Sequence, residues 1–332
     1  MRDLPKKWLV WRLSALGDVL LTTGVLAHLA SERDWRFHVV TKAPFAPVFD
    51  GNPFVERVIR PATGELRMPR LLSWLRALAA EYRGWGLLDL HGNLRSRLLG
   101  LAWHGPVLRY PKEGLARRVF LLSGGRFCGE RLRASSVTMR YAKAVLPVPP
   151  PAASLVPRLW LSPAEDEAAA RRLGEIFGAG PASPVALHPY ATHALKSWPV
   201  ERWKKLAAAL DDAGIPWLII GRGTPLFPGD ARDATNATTL RESAALLSHC
   251  RALVTGDSGP MHLASAVGTP VLALFGPTTR EWGFFPAGPD DRVLEHDCPC
   301  RPCSLHGKFA CPRSGECMTA ISVDELLAAL GV

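Results

Sequence analysis

Asp257-Ser258-Gly259-Pro260-Met261-His262 follows the apolar run Ala252-Leu253-Val254 and precedes a small-residue stretch, Leu263 to Val267, with the pattern of a helix. A second apolar run then ends in Phe275-Gly276-Pro277-Thr278. A strand that enters a helix through Asp-Ser-Gly-Pro leaves backbone N–H groups without partners at the helix start. Pro260 costs nothing there, because its missing N–H would have been one of the orphans. Such an end accepts phosphate or pyrophosphate, so the stretch predicts an α/β protein with a phosphate-bearing ligand. A glycine-rich turn that only packs a helix on a sheet has the same sequence, and the choice rests on the rest of the chain. Gly256-Asp257-Ser258-Gly259 also resembles the surroundings of the trypsin-like nucleophile. That context is a β-barrel, whereas the flanking segments here alternate strand and helix patterns.

Upstream, Trp8–Leu13, Phe37–Thr41, Val55–Ile59, Gly86–Leu90 and Val107–Tyr110 read as strands, with helical patterns over 18–31, 70–82 and 93–101. Pro147-Val148-Pro149-Pro150-Pro151 predicts an extended linker. Beyond it the alternation resumes with strands at 184–188, 216–220, 253–255 and 271–275 and helices at 200–213, 240–250 and 323–330. The expectation is two doubly wound domains, 1–150 and 151–332, facing a central cleft. Ligands of such sheets sit at the carboxyl ends of the strands.

The 332 residues carry a net charge of +10. Residues 1–157 hold 24 Lys and Arg against 11 Asp and Glu, and 158–332 hold 16 against 19. The first half should therefore attract an anionic partner. Nucleic acid is one candidate, though no recognised nucleic-acid module accompanies the arginines; an anionic lipid surface or phosphorylated glycolipid is another, and solvated surface accounts for part of such a charge as well. Neither a membrane-spanning run nor a signal-peptide pattern is seen, and a cytoplasmic protein is expected.

Three polar stretches fall at predicted strand ends. In Arg12-Leu13-Ser14-Ala15-Leu16-Gly17-Asp18, Asp18 stands where strand turns into helix. It suits a general base on a hydroxyl, or simply an acid in a first helical turn. His188-Pro189-Tyr190-Ala191-Thr192-His193-Ala194-Leu195-Lys196 offers the Thr192 hydroxyl and the Lys196 charge to phosphate oxygens. Asp89-Leu90-His91-Gly92-Asn93-Leu94-Arg95-Ser96-Arg97 lies in the basic half. There Arg95 and Arg97, with His91, can hold acidic groups of an acceptor or be ordinary surface residues.

Taken with Lys196-Ser197-Trp198-Pro199, Trp203, Leu263-Ala264 and Phe275-Gly276-Pro277-Thr278, the order and spacing of these stretches resemble the bacterial heptosyltransferases of glycosyltransferase family 9, which act in lipopolysaccharide core assembly. The resemblance covers nearly the whole chain. It implies a GT-B fold of two Rossmann-like domains, an ADP-heptose donor, inversion at the sugar carbon and no metal required for catalysis. It makes Asp18 the catalytic aspartate, Thr192 and Lys196 donor-phosphate contacts, and Asp257 a donor-binding acid. Ser258, Gly259 and His262 belong to that same donor motif. A phosphorylated lipid A acceptor carrying acidic sugars would bring the protein to the cytoplasmic face of the inner membrane. The chain departs from the pattern at Ala191, where members can carry a hydroxyl, and in the loop after Gly221-Arg222-Gly223, where no further donor-binding acid is placed. Another nucleotide sugar such as a UDP-sugar, or a silent nucleotide-sugar binding protein, are the rival expectations.

Cys128 and Cys250 stand alone and are expected to be buried small hydrophobes. Cys300, Cys303, Cys311 and Cys317 have spacings that suit a structural four-cysteine zinc site, with Cys298, His296 and His306 as substitutes. Unligated thiols, disulfides or an iron–sulfur cluster are the alternatives.

Overall fold

The computed structural model describes residues 4–178, 183–303 and 311–332. The chain divides into two compact units, residues 1–112 with 137–160, and 113–136 with 161–332.

In the first unit β1 (Lys7–Trp11), β2 (Arg36–Val40), β3 (Val55–Ile59), β4 (Gly86–Asp89) and β5 (Val107–Arg109) pair in parallel in the order β3-β2-β1-β4-β5. Trp8, Leu9, Val10 and Trp11 of the central strand are all fully buried, the two-sided apolar pattern of a covered parallel sheet. The helices α1 (Leu16–Arg33), α2 (Arg70–Glu81) and α3 (Leu94–Ala102) connect these strands. On α2, Leu71, Leu75, Leu78 and Ala79 form one stripe, which packs with Leu9, Trp11 and Leu87.

The chain then forms α4 (Gly114–Leu122) and α5 (Gly129–Arg133), which belong to the second unit. Ala116, Phe120 and Leu132 pack there on Trp282, and Arg117 donates to the Trp282 carbonyl at 2.9 Å. It returns to the first unit with α6 (Val137–Ala142) and an irregular stretch to Trp160. The Pro147–Pro151 run lies inside this return, followed by a short 3-10 turn, Ala152–Leu155.

The second unit continues through α7 (Pro163–Phe177), β6 (Val185–His188), α8 (Val200–Asp212), β7 (Trp217–Ile219), α9 (Leu240–Ser248), β8 (Ala252–Gly256), α10 (Gly259–Ala266), β9 (Val271–Phe275), β10 (Arg292–Glu295), α11 (Glu316–Thr319) and α12 (Val323–Leu330). Its parallel sheet runs β10-β9-β8-β6-β7. Six elements went unread in the sequence: α4, α5, α6, α7, β10 and α11. The edge strand β10 alternates too little, with charged Arg292 and Glu295 at its ends. α7 carries a legible start: Ser162 and Glu165 form a capping box around Pro163. α10 begins four residues earlier than its small-residue run suggested, which puts Gly259 to His262 in its first turn. Cys250 is buried as expected, its thiol pushed up to about 12 by that burial, whereas Cys128 is only half-buried and caps α5 with φ 66°.

The return stretch is pinned to α1. A Cβ on Gly24 would stand 2.2 Å from the Val156 carbonyl oxygen, and Arg158 N donates to Thr23 Oγ1 at 2.8 Å. Elsewhere on a helix Gly→Ala stabilises by about 1 kcal/mol. Here Gly24→Ala is expected to destabilise by about 1–3 kcal/mol, since a backbone oxygen cannot move aside as a side chain can. Denaturant unfolding of the variant checks the sign.

Candidate active site

Both sheets reverse their strand order next to the first strand of the unit, between β1 and β4 and between β6 and β8. Such switch points open a crevice at the carboxyl ends of the strands. Each of the three polar stretches read from the sequence, and the 257–262 motif, leaves one of these four strands.

In the first unit β1 runs into Arg12, and Asp18 lies in the first turn of α1. Arg12 Nη2 stands 2.6 Å from Asp18 Oδ2, the Tyr141 hydroxyl donates to Asp18 Oδ1 at 3.1 Å, and Ala15 N reaches Oδ2 at 3.4 Å. Arg12 also donates from Nη1 to the Leu90 carbonyl at 2.6 Å, which ties the ends of β1 and β4 together. Burial works against the Arg12 charge, but Tyr141 and Asp18 outweigh it and hold the guanidinium above its ordinary range. The Tyr141 hydroxyl is held well above its usual range, chiefly by complete burial, and stays a donor. Neither Arg12 nor Tyr141 was singled out from the sequence. Tyr141 lies 123 residues from Asp18, and only the return of the chain through α6 brings it there.

Asp89 differs from Asp18. It is fully buried, and it accepts from His91 N at 3.1 Å, Gly92 N at 2.8 Å and Arg109 Nε at 3.1 Å. It builds the turn that carries His91. Burial first, then the charges of Arg12 and Lys112, push the His91 imidazole down to about 4, so it is neutral at physiological pH. Lys112 donates to the Gly92 carbonyl at 3.1 Å and adds a cation the sequence reading missed. Arg95 is tied to the Leu66 carbonyl at 3.2 Å, while Arg97 is exposed.

In the second unit Lys196 forms an ion pair with Asp257, and Thr278 Oγ1 donates to Asp257 Oδ2 at 2.9 Å. The structure thus joins the Lys196 loop, the end of β8 and the 275–278 motif in one cluster. Trp198 explains the Lys196-Ser197-Trp198-Pro199 pattern: it is buried, donates to the Ile321 carbonyl at 3.0 Å and meets Trp203 edge-on at 5.1 Å. It anchors the loop that carries Lys196. Ser258 caps α10 by position, but its hydroxyl turns to Thr255 at 3.1 Å and His188 at 3.4 Å. Gly259 opens the first turn; His262 is buried in it, with its ring 6.3 Å from Phe284; Thr192 is exposed. The acids after Gly223 are used locally, Asp230 by Arg232 and Asp233 by Phe227 N at 2.9 Å.

The cysteine-rich segment backs this cluster. A Cβ on Gly276 would stand 2.4 Å from Met318 Cγ and 3.3 Å from Cys317 Sγ, and Arg301 donates to the Thr278 carbonyl at 3.2 Å. Cys298 and Cys300 bring their sulfurs to 3.4 Å. Among the described residues no group of three or more His, Cys, Asp or Glu is arranged to hold a metal ion, and His306 lies outside them.

A family model described as glycosyltransferase family 9 (heptosyltransferase) matches residues 141–309, half of the chain. The chain belongs to this family. It is 29% identical over 163 residues to lipooligosaccharide heptosyltransferase 2 of Haemophilus influenzae, a match that takes in 44% of the chain and 46% of that relative, under half its length. With lipopolysaccharide heptosyltransferase 1 of Pseudomonas aeruginosa it shares 29% over 331 residues, covering 89% and 85% of the two. The solved ADP-heptose lipopolysaccharide heptosyltransferase II of E. coli superposes with a TM-score of 0.71 at 21% identity, over 98% of this chain and 97% of that one. That likeness shows the fold, GT-B, as the family pattern implied.

His188 gives this site a pH signature. Burial pushes its imidazole down to about 4, where the unfolded chain has 6.5. Between those values the unfolded chain takes up a proton that the folded chain refuses, so stability is present above pH 6.5 and is lost as pH falls towards 4. His91 adds a second such proton. Each proton contributes a slope of at most about 1.4 kcal/mol per pH unit. His188→Gln should remove about one proton from that slope in equilibrium unfolding between pH 4 and 6.5; an unchanged slope would refute the assignment.

Proposed function

We propose that this protein transfers heptose from ADP-heptose to an anionic acceptor of the lipopolysaccharide inner core, with inversion at the anomeric carbon. The observation that carries the reading is the Asp18 carboxylate at the β1–β4 switch point, ion-paired with Arg12 and still 24% exposed. Family membership and the ADP-heptose named for the E. coli structure support the choice of donor.

In the proposed step the acceptor hydroxyl gives its proton to Asp18 as its oxygen attacks the anomeric carbon. The bond from that carbon to the ADP oxygen breaks, and ADP leaves with the electron pair. Lys196 and the first turn of α10 meet the charge that develops on the leaving phosphate, a preorganised electrostatic contribution. Asp257, held by Thr278, sets the Lys196 ammonium. Thr192, Ser258 and Gly259 complete the donor contacts, and His91, Arg95 and Arg97 those of the acceptor. The reading needs no metal for the chemistry. A structural zinc on Cys300, Cys303, Cys311 and Cys317 would staple the segment behind Thr278. The described geometry does not preform that site, and metal analysis of purified protein decides it.

The first unit carries 20 Lys and Arg against 9 Asp and Glu, which suits an acidic glycolipid at the cytoplasmic face of a membrane. No helix among the described residues is long and apolar enough to cross one. Binding to anionic vesicles is therefore expected to weaken as salt rises.

ADP at about a hundred times its dissociation constant should add roughly 2.7 kcal/mol to stability, a visible rise in Tm that UDP, GDP and CMP do not match. A selective UDP shift would move the donor. Asp18→Ala should lower kcat by about 10²- to 10⁴-fold while the ADP shift persists; near-normal turnover would overturn the role of Asp18.

A further inference from the structure

The geometry points to Arg12 and Tyr141 as positioning residues that fix the Asp18 carboxylate so that Oδ1 is the oxygen that takes the acceptor proton. This rests on Asp18 acting as the base. A carboxylate has about four acceptor sites, two on each oxygen. Oδ2 has both of its sites engaged, by Arg12 Nη2 at 2.6 Å and by Ala15 N at 3.4 Å. Among the described residues Oδ1 accepts from the Tyr141 hydroxyl alone, at 3.1 Å, which leaves one site on that oxygen for an incoming hydroxyl.

Both donors are themselves held. The Arg12 side chain is 7% exposed, is anchored by the Leu90 carbonyl and lies with its guanidinium 5.5 Å from the Tyr141 ring centre. Tyr141 is fully buried, and its ring meets Tyr110 edge-on at 4.9 Å. Donors on two separate elements, the end of β1 and α6, therefore define the carboxylate plane. A side chain so clamped presents its open lone pair in one direction without reorganisation, the condition for a near-attack geometry. Asp89 keeps a site on Oδ2 by the same count, but it is fully buried, so no acceptor hydroxyl reaches it, and it is structural.

Tyr141→Phe keeps the ring and removes only the hydroxyl. It should lower kcat about tenfold, with the acceptor KM and the ADP-induced rise in Tm unchanged. Arg12→Lys keeps a charge but loses the fork that spans Asp18 and Leu90, and should cost about a hundredfold in kcat. In Arg12→Ala, guanidinium ion at low millimolar concentration should restore part of kcat, which a merely structural role would not allow. Should Arg12→Ala fail to fold, Tyr141→Phe carries the test. Asp18→Ala, measured alongside, separates the two readings. If it turns over normally, the base assignment falls and this proposal with it. If it is inactive while Tyr141→Phe keeps full kcat, only the positioning role is overturned.

Discussion

Parallel pairing is the constraint from which the rest follows. A parallel strand cannot be joined to its neighbour by a tight turn, so each connection must cross back over the sheet, and the carboxyl ends of all strands gather on one edge. Where strand order reverses, two such ends part and leave room between their loops. Both sheets have that reversal beside their opening strand, β1 against β4 and β6 against β8. The stretches that carry Asp18, Asp89, Lys196 and Asp257 each leave one of these four strands. The apolar strands behind them, buried on both faces, keep the ends rigid.

Three carboxylates at these ends meet a cation in three different ways, and exposure separates their roles. Asp89 is fully enclosed and spends its oxygens on backbone N–H groups and Arg109, which shapes a turn. Asp257 accepts from both Lys196 and the Thr278 hydroxyl and so holds an ammonium in place. Asp18 is the most open of the three and retains an acceptor site. The same residue type in the same topological position thus builds a loop, orients a cation or stays partly open to solvent, according to which donors surround it.

The second unit depends on its own C-terminal segment. Trp198 reaches the Ile321 carbonyl, Arg301 reaches the Thr278 carbonyl, and Gly276 leaves room for Met318 and Cys317. The loops bearing Lys196 and Thr278 are therefore supported from behind by residues more than forty positions further along the chain in the case of Met318 and Ile321. A cross-link among the cysteines would act on the site through these contacts.

Most strands and helices could be read from the sequence, because two-sided burial writes a continuous apolar run and amphipathic helices write a period of 3.6. Val55–Ile59, Val271–Phe275 and Val323–Leu330 were legible to the residue. The acids and cations at strand ends, Asp18, Lys196 and Asp257, were legible too, since strand-to-helix turns with Gly and Asp constrain the local backbone. Which donors hold them was not. Arg12 looked like any residue after a strand, Thr278 stood at the end of a motif with no partner assigned to it, and Tyr141 carries no local signal at all. A hydrogen bond across 123 residues is set by where the chain returns, and local propensity has no term for that. The exchange of residues 113–136 to the second unit has the same cause: Phe120 and Leu132 find their apolar partner in Trp282. The sequence alone determined the strand ends and the charges placed on them; the tertiary fold decided which donors hold each charge and which oxygen is left open.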